Sequence, residues 1–299
     1  MNARDLLREI RYRPVHLVPS KRVVSPYPGE WPSPFEGKGF ESLRFRDFEM
    51  GDDPRRVHLP TSTRRGTRTI VERVALRDLR VMVVVDPSPS MLVRDKLNVQ
   101  LSAAALLLYS AWQAETTFGL AVQGGEVVHA LGLGIGSRHF YRLYRTLWRV
   151  FFGDEGRLLL GRRLSLSRLL PPNAMLLYCS DFLTAQGAPT DLLALWRAVR
   201  RYDFIPVVIQ DEFESSFPVT PGGTFIRFLN PETGERDEAW ITQKKAKEIR
   251  AVHETRFQEI NLVLNRSGTR CIHLDTPNVR EIIRHIDRFF RRRRRRLAS

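Results

Sequence analysis

The feature that most constrains this chain is Val81-Met82-Val83-Val84-Val85, five consecutive apolar residues that stop at Asp86. A β-branched run of that length, closed by a polar loop, suits a strand covered on both faces. Both faces are covered when helices pack on either side of a parallel sheet, so the run points to an α/β fold. The pattern then recurs. Met175 to Cys179 is a second buried strand ending at Ser180-Asp181, Phe204 to Ile209 a third, and Cys271 to Leu274 a fourth. Between them lie helical periods. Asp95 to Glu115 brings Leu97, Leu101, Ala104, Ala105, Leu108 and Trp112 onto one face, and Arg138 to Phe152 is a second helix. Asp191 to about Tyr202, Gln243 to Arg266 and Val279 to Phe290 follow, with a short helix near Leu164 to Leu170. Thr117 to Val122 and Val127 to Leu131 flank Gly124-Gly125, a hairpin signal that supplies an antiparallel edge. The sum is a doubly wound, mostly parallel sheet.

The surrounding segments read differently. Residues 1–35 carry Pro14, Pro19, Pro26, Pro28, Pro32 and Pro34, which predict an irregular arm after a short helix over Ala3 to Tyr12. Residues 1–78 are therefore an arm and a lead-in segment, with a strand over Thr67 to Leu76. The α/β domain spans 79–290, with a second hairpin inserted at about 211–242 around Pro231-Glu232-Thr233-Gly234. A basic tail, 291–299, closes the chain.

Asp86-Pro87-Ser88-Pro89-Ser90 is the stretch that carries chemistry. It is a strand-end loop of the form Asp-x-Ser-x-Ser, offering a carboxylate and two hydroxyls as hard oxygen ligands. Such a donor set suits Mg²⁺ or Mn²⁺ and leaves the ion electron-poor enough to take a partner's carboxylate. The alternative is that Ser88 or Ser90 simply caps the following helix. Asp181 also follows a buried strand. In doubly wound sheets ligands sit beyond the carboxyl ends of the strands, and that places both carboxylates on one rim.

Other chemistry finds less support. The sequence has no Gly-x-Ser-x-Gly elbow and no Walker A loop, so any ATP hydrolysis belongs to a partner. The histidines lack zinc-ligand spacing, and Cys179 and Cys271 read as apolar core residues rather than a disulfide framework. Asp52-Asp53 is either a carboxylate pair for two-metal work or a turn held by Arg44, Arg55 or Arg56. No apolar run approaches the roughly 20 residues that span a bilayer, and Met1 to Val18 has no signal-peptide core. A cytoplasmic location is the expectation. The formal charge of +15 includes the run Arg291, Arg292, Arg293, Arg294, Arg295 and Arg296. That run is either a solvated helix end or an electrostatic tether to nucleic acid, anionic lipid or an acidic protein.

The stretch from Val81 to Phe290 resembles a von Willebrand factor type A domain, a Rossmann-like fold with a metal-ion-dependent adhesion site. The segment before it resembles the signature of the domain of unknown function 58 family. Its matching residues are Gly37, Gly39, Phe40 and Arg44, then Gly51, Asp52, Asp53 and Arg56, then Arg64. Phe213 to Trp240 is similar to that family's late hairpin. The resemblance implies a non-enzymatic, metal-dependent protein-interaction module of the short form without membrane helices. It implies chaperone-like work beside a MoxR-type AAA+ ATPase, with metal ligands Asp86, Ser88, Ser90 and Asp181. Two departures stand out. Val57-His58-Leu59 replaces the family's Ile-Asp-Trp, and the loop within Gly153 to Ser167 lacks the usual Thr, leaving Ser165 as the nearest hydroxyl. Two competing readings are a basic nucleic-acid-associated protein with a vestigial metal loop and a hydrolase that uses Asp86 and Asp181 to activate water.

Overall fold

A computed structural model of the chain describes residues 2–21, 28–36, 42–50, 54, 57–77, 79–124, 127–152, 170–182, 192–211, 219, 220, 222–229, 236–266 and 269–298. Strands β4 (Arg80–Val85), β5 (Thr117–Gly124), β6 (Val127–Gly134), β7 (Met175–Ser180), β8 (Asp203–Ile209) and β11 (Ile272–Leu274) form one sheet. Their order is β11-β8-β7-β4-β5-β6. Every pairing is parallel except the β5–β6 hairpin at one edge. The chain leaves β4 toward β5 and later returns to β7 on the other side of β4. The switch in strand order therefore lies between β4 and β7.

Helix α3 (Lys96–Gln113) is the centre of one layer and is buried along nearly its whole length. Helices α1 (Ala3–Ile10), α4 (Gly136–Phe152) and α7 (Val279–Ala298) pack around it. That explains why the run from Ala103 to Leu108 is apolar on every face: sheet on one side, helices on the others. A second apolar cluster on the opposite face joins Met82, Val84, Leu176 and Phe204 to Ile260 and Leu264 of α6 (Gln243–Arg266). Helix α5 (Leu192–Arg201) contacts β8 and α6.

The structure corrects two expectations. The N-terminal stretch has the expected short helix and an irregular segment over 11–20, but it is closely packed and is not irregular throughout. Leu6 and Ile10 of α1 are fully buried, Tyr144 Oη donates to the Ala3 carbonyl, and the Val15 amide donates to Ser110 Oγ. Residues 28–36 form a strand, β1 (Pro28–Glu36), antiparallel to β3 (Thr69–Arg77) in a three-stranded sheet that β2 (Ser42–Asp47) completes. Prolines are tolerated there because β1 is an edge strand whose register shifts between Pro28 and Trp31 and again between Pro32 and Glu36. Second, the last helix does not end at Phe290 but runs through the arginines to Ala298. Arginine is a good helix former, and Arg291 pairs with Asp287 one turn back. The inserted hairpin is present as β9 (Thr224–Leu229) and β10 (Arg236–Ile241), a separate two-stranded ribbon. No helix among the described residues is long and apolar enough to cross a membrane.

Candidate metal and partner-binding rim

Asp86 follows β4, and its amide donates to the Cys179 carbonyl of β7, so the loop begins as a continuation of the ladder. The carboxylate is 7% exposed and organised from both sides. Oδ1 accepts the Ser88 amide at 2.8 Å, and Oδ2 accepts the Ser180 hydroxyl at 2.6 Å. Burial raises the Asp86 pKa above its ordinary value, and the nearby Asp181 charge adds to this, while the bonds from Ser180 and Ser88 oppose it.

Ser88 and Ser90 do not cap α3. A short 3-10 turn, Pro89–Leu92, contains Ser90 and lies between Ser88 and the helix, and neither its N-cap, Ser88, nor the α3 N-cap, Asp95, makes a side-chain cap bond. Instead the two hydroxyls lie 3.1 Å apart. Adjacent oxygens around an octahedral Mg²⁺ at 2.0–2.1 Å sit about 2.9 Å apart. The spacing thus fits two neighbouring positions of such a shell. Among the described residues no three His, Cys, Asp or Glu side chains cluster, so a cation here would depend on these hydroxyls, the paired carboxylates and water.

Three further rim residues escaped the sequence reading. Lys96 is buried, and its ammonium donates to Asp181 Oδ2 at 3.1 Å. Gln100, one turn on, donates through Nε2 to the Asp86 and Cys179 carbonyls, both at 3.0 Å, and so holds the ends of β4 and β7 together. The available signal was a Lys and a Gln four residues apart at the start of an otherwise apolar helix. Asp211, just past β8, pairs with Arg94 at 3.2 Å. Arg94 and Phe182 adopt left-handed backbone, φ 52° and 56°, on the two loops that carry the site. Burial also pushes the Cys179 thiol up to about 12, as a core cysteine requires.

The signature residues divide. Gly37, Gly39, Phe40, Gly51, Asp52, Asp53, Arg56 and the substitute ligand Ser165 lie outside the described residues, as does the Leu164 to Leu170 helix apart from Leu170. Arg44 stands on β2 opposite Glu72 of β3, and Arg64 lies in the last turn of α2 (Leu59–Arg65). His58 is the N-cap of α2, its ring accepting the Thr61 amide, so it takes a capping role for which Asp is also well suited. The six arginines are not one uniform tail. Arg293 is 14% exposed and bonded to the buried Asp203, whereas Arg292, Arg294 and Arg295 are exposed.

Fold and rim together define an α/β protein with an open, mostly parallel six-stranded sheet and paired carboxylates at the switch in strand order. Residues 44–261 match the family described as protein of unknown function DUF58, and the chain belongs to that family. No curated protein matches it. Among solved structures it is similar to a PilB minor pilin from Streptococcus sanguinis, at 8% identity and a TM-score of 0.32, over 76% of this chain. The likeness spans 65% of the pilin, and no role is taken from it.

Proposed function

We propose that the six-stranded domain is of the von Willebrand factor type A kind and captures a protein partner through a divalent cation on the Asp86–Asp181 rim, without catalysing a reaction. The observation that carries this reading is the placement of the two carboxylates at the β4–β7 switch beside the paired Ser88 and Ser90 hydroxyls. The antiparallel edge strand on an otherwise parallel sheet is compatible with it. Asp86, Ser88 and Ser90 would hold Mg²⁺ or Mn²⁺, with Asp181 in support. When bound, the ion supplies a Lewis-acidic position for a partner's carboxylate.

The chain's own residues prepare that position. Ser180 and the Ser88 amide fix the Asp86 carboxylate. Lys96 offsets the charge of Asp181, so two carboxylates do not fully cancel a divalent ion, and an anionic ligand from outside is favoured. Gln100 ties the two strand ends into a rigid rim.

The partner class rests on the family: a MoxR-type AAA+ ATPase or its client, in chaperone-like assembly. The test immobilises such an ATPase and passes the full chain over it in Mg²⁺ and in chelator, as wild type and as Asp86→Ala. Retention of wild type in Mg²⁺ alone supports the reading. Equal retention in all four conditions overturns it.

The exposed Arg292, Arg294 and Arg295 favour a second reading, association with nucleic acid. It calls for salt-sensitive DNA or RNA binding that is lost when these arginines become Ser and unchanged in Asp86→Ala.

A further inference from the structure

At the other end of the sheet a cleft of about 240 Å³ opens between the amino ends of β8 and β11 and the last turns of α7. Among the described residues Arg270, Arg292, Arg293 and Arg296 line it, together with one carboxylate, Asp203. Asp203 answers Arg293, and the exposed Arg270 and Arg292 add positive charge around the same small volume. We propose that this cleft is a binding site for a small phosphate-bearing anion, independent of the adhesion-site reading.

The cleft is built rather than incidental. Asp203, the first residue of β8, is 3% exposed and accepts from the Ser20 amide at 2.9 Å and the Ser20 hydroxyl at 2.7 Å. It also accepts from Arg293 Nη2. That carboxylate thus fixes one guanidinium in place at the wall. The Arg293 Nε–H is buried and has no hydrogen-bond partner among the described residues, a donor that a native fold ordinarily satisfies. Lys21 is engaged with the carbonyls of Val199 and Arg200 at the end of α5 and of Tyr202 just past it. Burial lowers its pKa, Asp203 raises it, and Arg293 lowers it again, consistent with a region rich in positive charge.

The chemistry of the wall selects the ligand. Guanidinium forks match phosphate oxygens in pairs, and several forks around one point suit a multiply charged oxyanion better than a single carboxylate. The volume lies below the roughly 300–1,000 Å³ of sites for drug-sized ligands, so the occupant is a phosphate or diphosphate group. The Phe289 ring lies beside the Arg293 guanidinium at 6.0 Å and closes one side of the cleft with apolar surface.

The test is calorimetric titration of the full chain with inorganic phosphate, pyrophosphate and acetate at one fixed ionic strength. The site variant is Arg270→Ser with Arg292→Ser, both exposed residues whose loss spares the core. The control is Arg138→Ser with Arg145→Ser, which removes equal charge from exposed positions on α4, beside β5. Saturable binding of phosphate or pyrophosphate, but not acetate, is expected, weakened about tenfold or more in the site variant and less than about twofold in the control. Binding of pyrophosphate above phosphate assigns a diphosphate, and the reverse a phosphate monoester. No saturable binding of either phosphate anion, equal affinity for acetate, or equal loss in both variants overturns the proposal.

Discussion

The two ends of the same parallel sheet handle buried charge in opposite ways. At the carboxyl rim, Asp86 lies near Asp181, which pairs with the ammonium of Lys96. At the amino end, Asp203 is met by Arg293 and both Ser20 donors, with further arginines beyond. The amino-end carboxylate works as a clasp. It ties the segment after α1 and the end of α7 to the first residue of β8, and its donors come from both segments. The rim carboxylates are ordered mainly by residues of their own two loops, and one of them is held above its ordinary pKa. A structural aspartate is surrounded by donors until its charge is fully matched. On the reading proposed above, the rim pair serves instead to hold a cation.

Substitutions probe that contrast, and the largest effect is expected at Lys96. Replacing it with Met leaves the buried Asp181 without its ammonium, and the loss of stability should reach about 3–5 kcal/mol in urea denaturation. Adding Asp181→Asn to Lys96→Met should return most of it. If the double variant is no better than the single one, the lysine acts through packing and the rim is not electrostatically organised. At the opposite end, Ser20→Ala removes one hydrogen bond to a buried carboxylate but keeps the backbone one. It should cost about 1.5–3 kcal/mol by the same measurement.

Asp86→Asn should behave in the opposite sense. The native state holds the Asp86 proton to higher pH than the unfolded chain does, so the stability tied to that proton is greatest at low pH. It falls as pH rises from the ordinary value of 3.8 through the raised one. The amide removes that penalty, so at neutral pH and without metal the melting temperature should rise by roughly 2–4 °C, and this part of the pH profile should flatten. A melting temperature that falls instead would mark Asp86 as structural, like Asp203. The smallest effect belongs to Arg294→Ser, exposed on α7, with a change within about 0.5 kcal/mol.

Much of the six-stranded sheet could be read from the sequence, because its central strands are continuous apolar runs and its helices keep a clear period. The helix over Gln243–Arg266 emerges with the predicted bounds. The edge strand β1 was hidden by Pro28, Pro32 and Pro34, which break a central strand but not an irregular edge pairing. The extent of α7 was hidden by its charge. Nothing in a run of six arginines announces that the third is clasped by an aspartate 90 residues earlier. The rim was half legible. Asp86 and Asp181 stand at strand ends, where position alone gives them away, but Lys96, Gln100 and Asp211 reach the rim through tertiary placement. The loop's hydroxyls read also as helix caps, and neither of them caps α3, whose N-cap is Asp95.

The most direct measurement is Mn²⁺ binding to the full chain by electron paramagnetic resonance, with Mg²⁺ as competitor, for wild type and Asp86→Ala. The rim described here should bind one Mn²⁺ per chain, release it to excess Mg²⁺, and lose it in Asp86→Ala while the far-ultraviolet circular dichroism stays unchanged. A wild-type chain that leaves Mn²⁺ free, or an Asp86→Ala chain that binds it as well as wild type, would contradict the account.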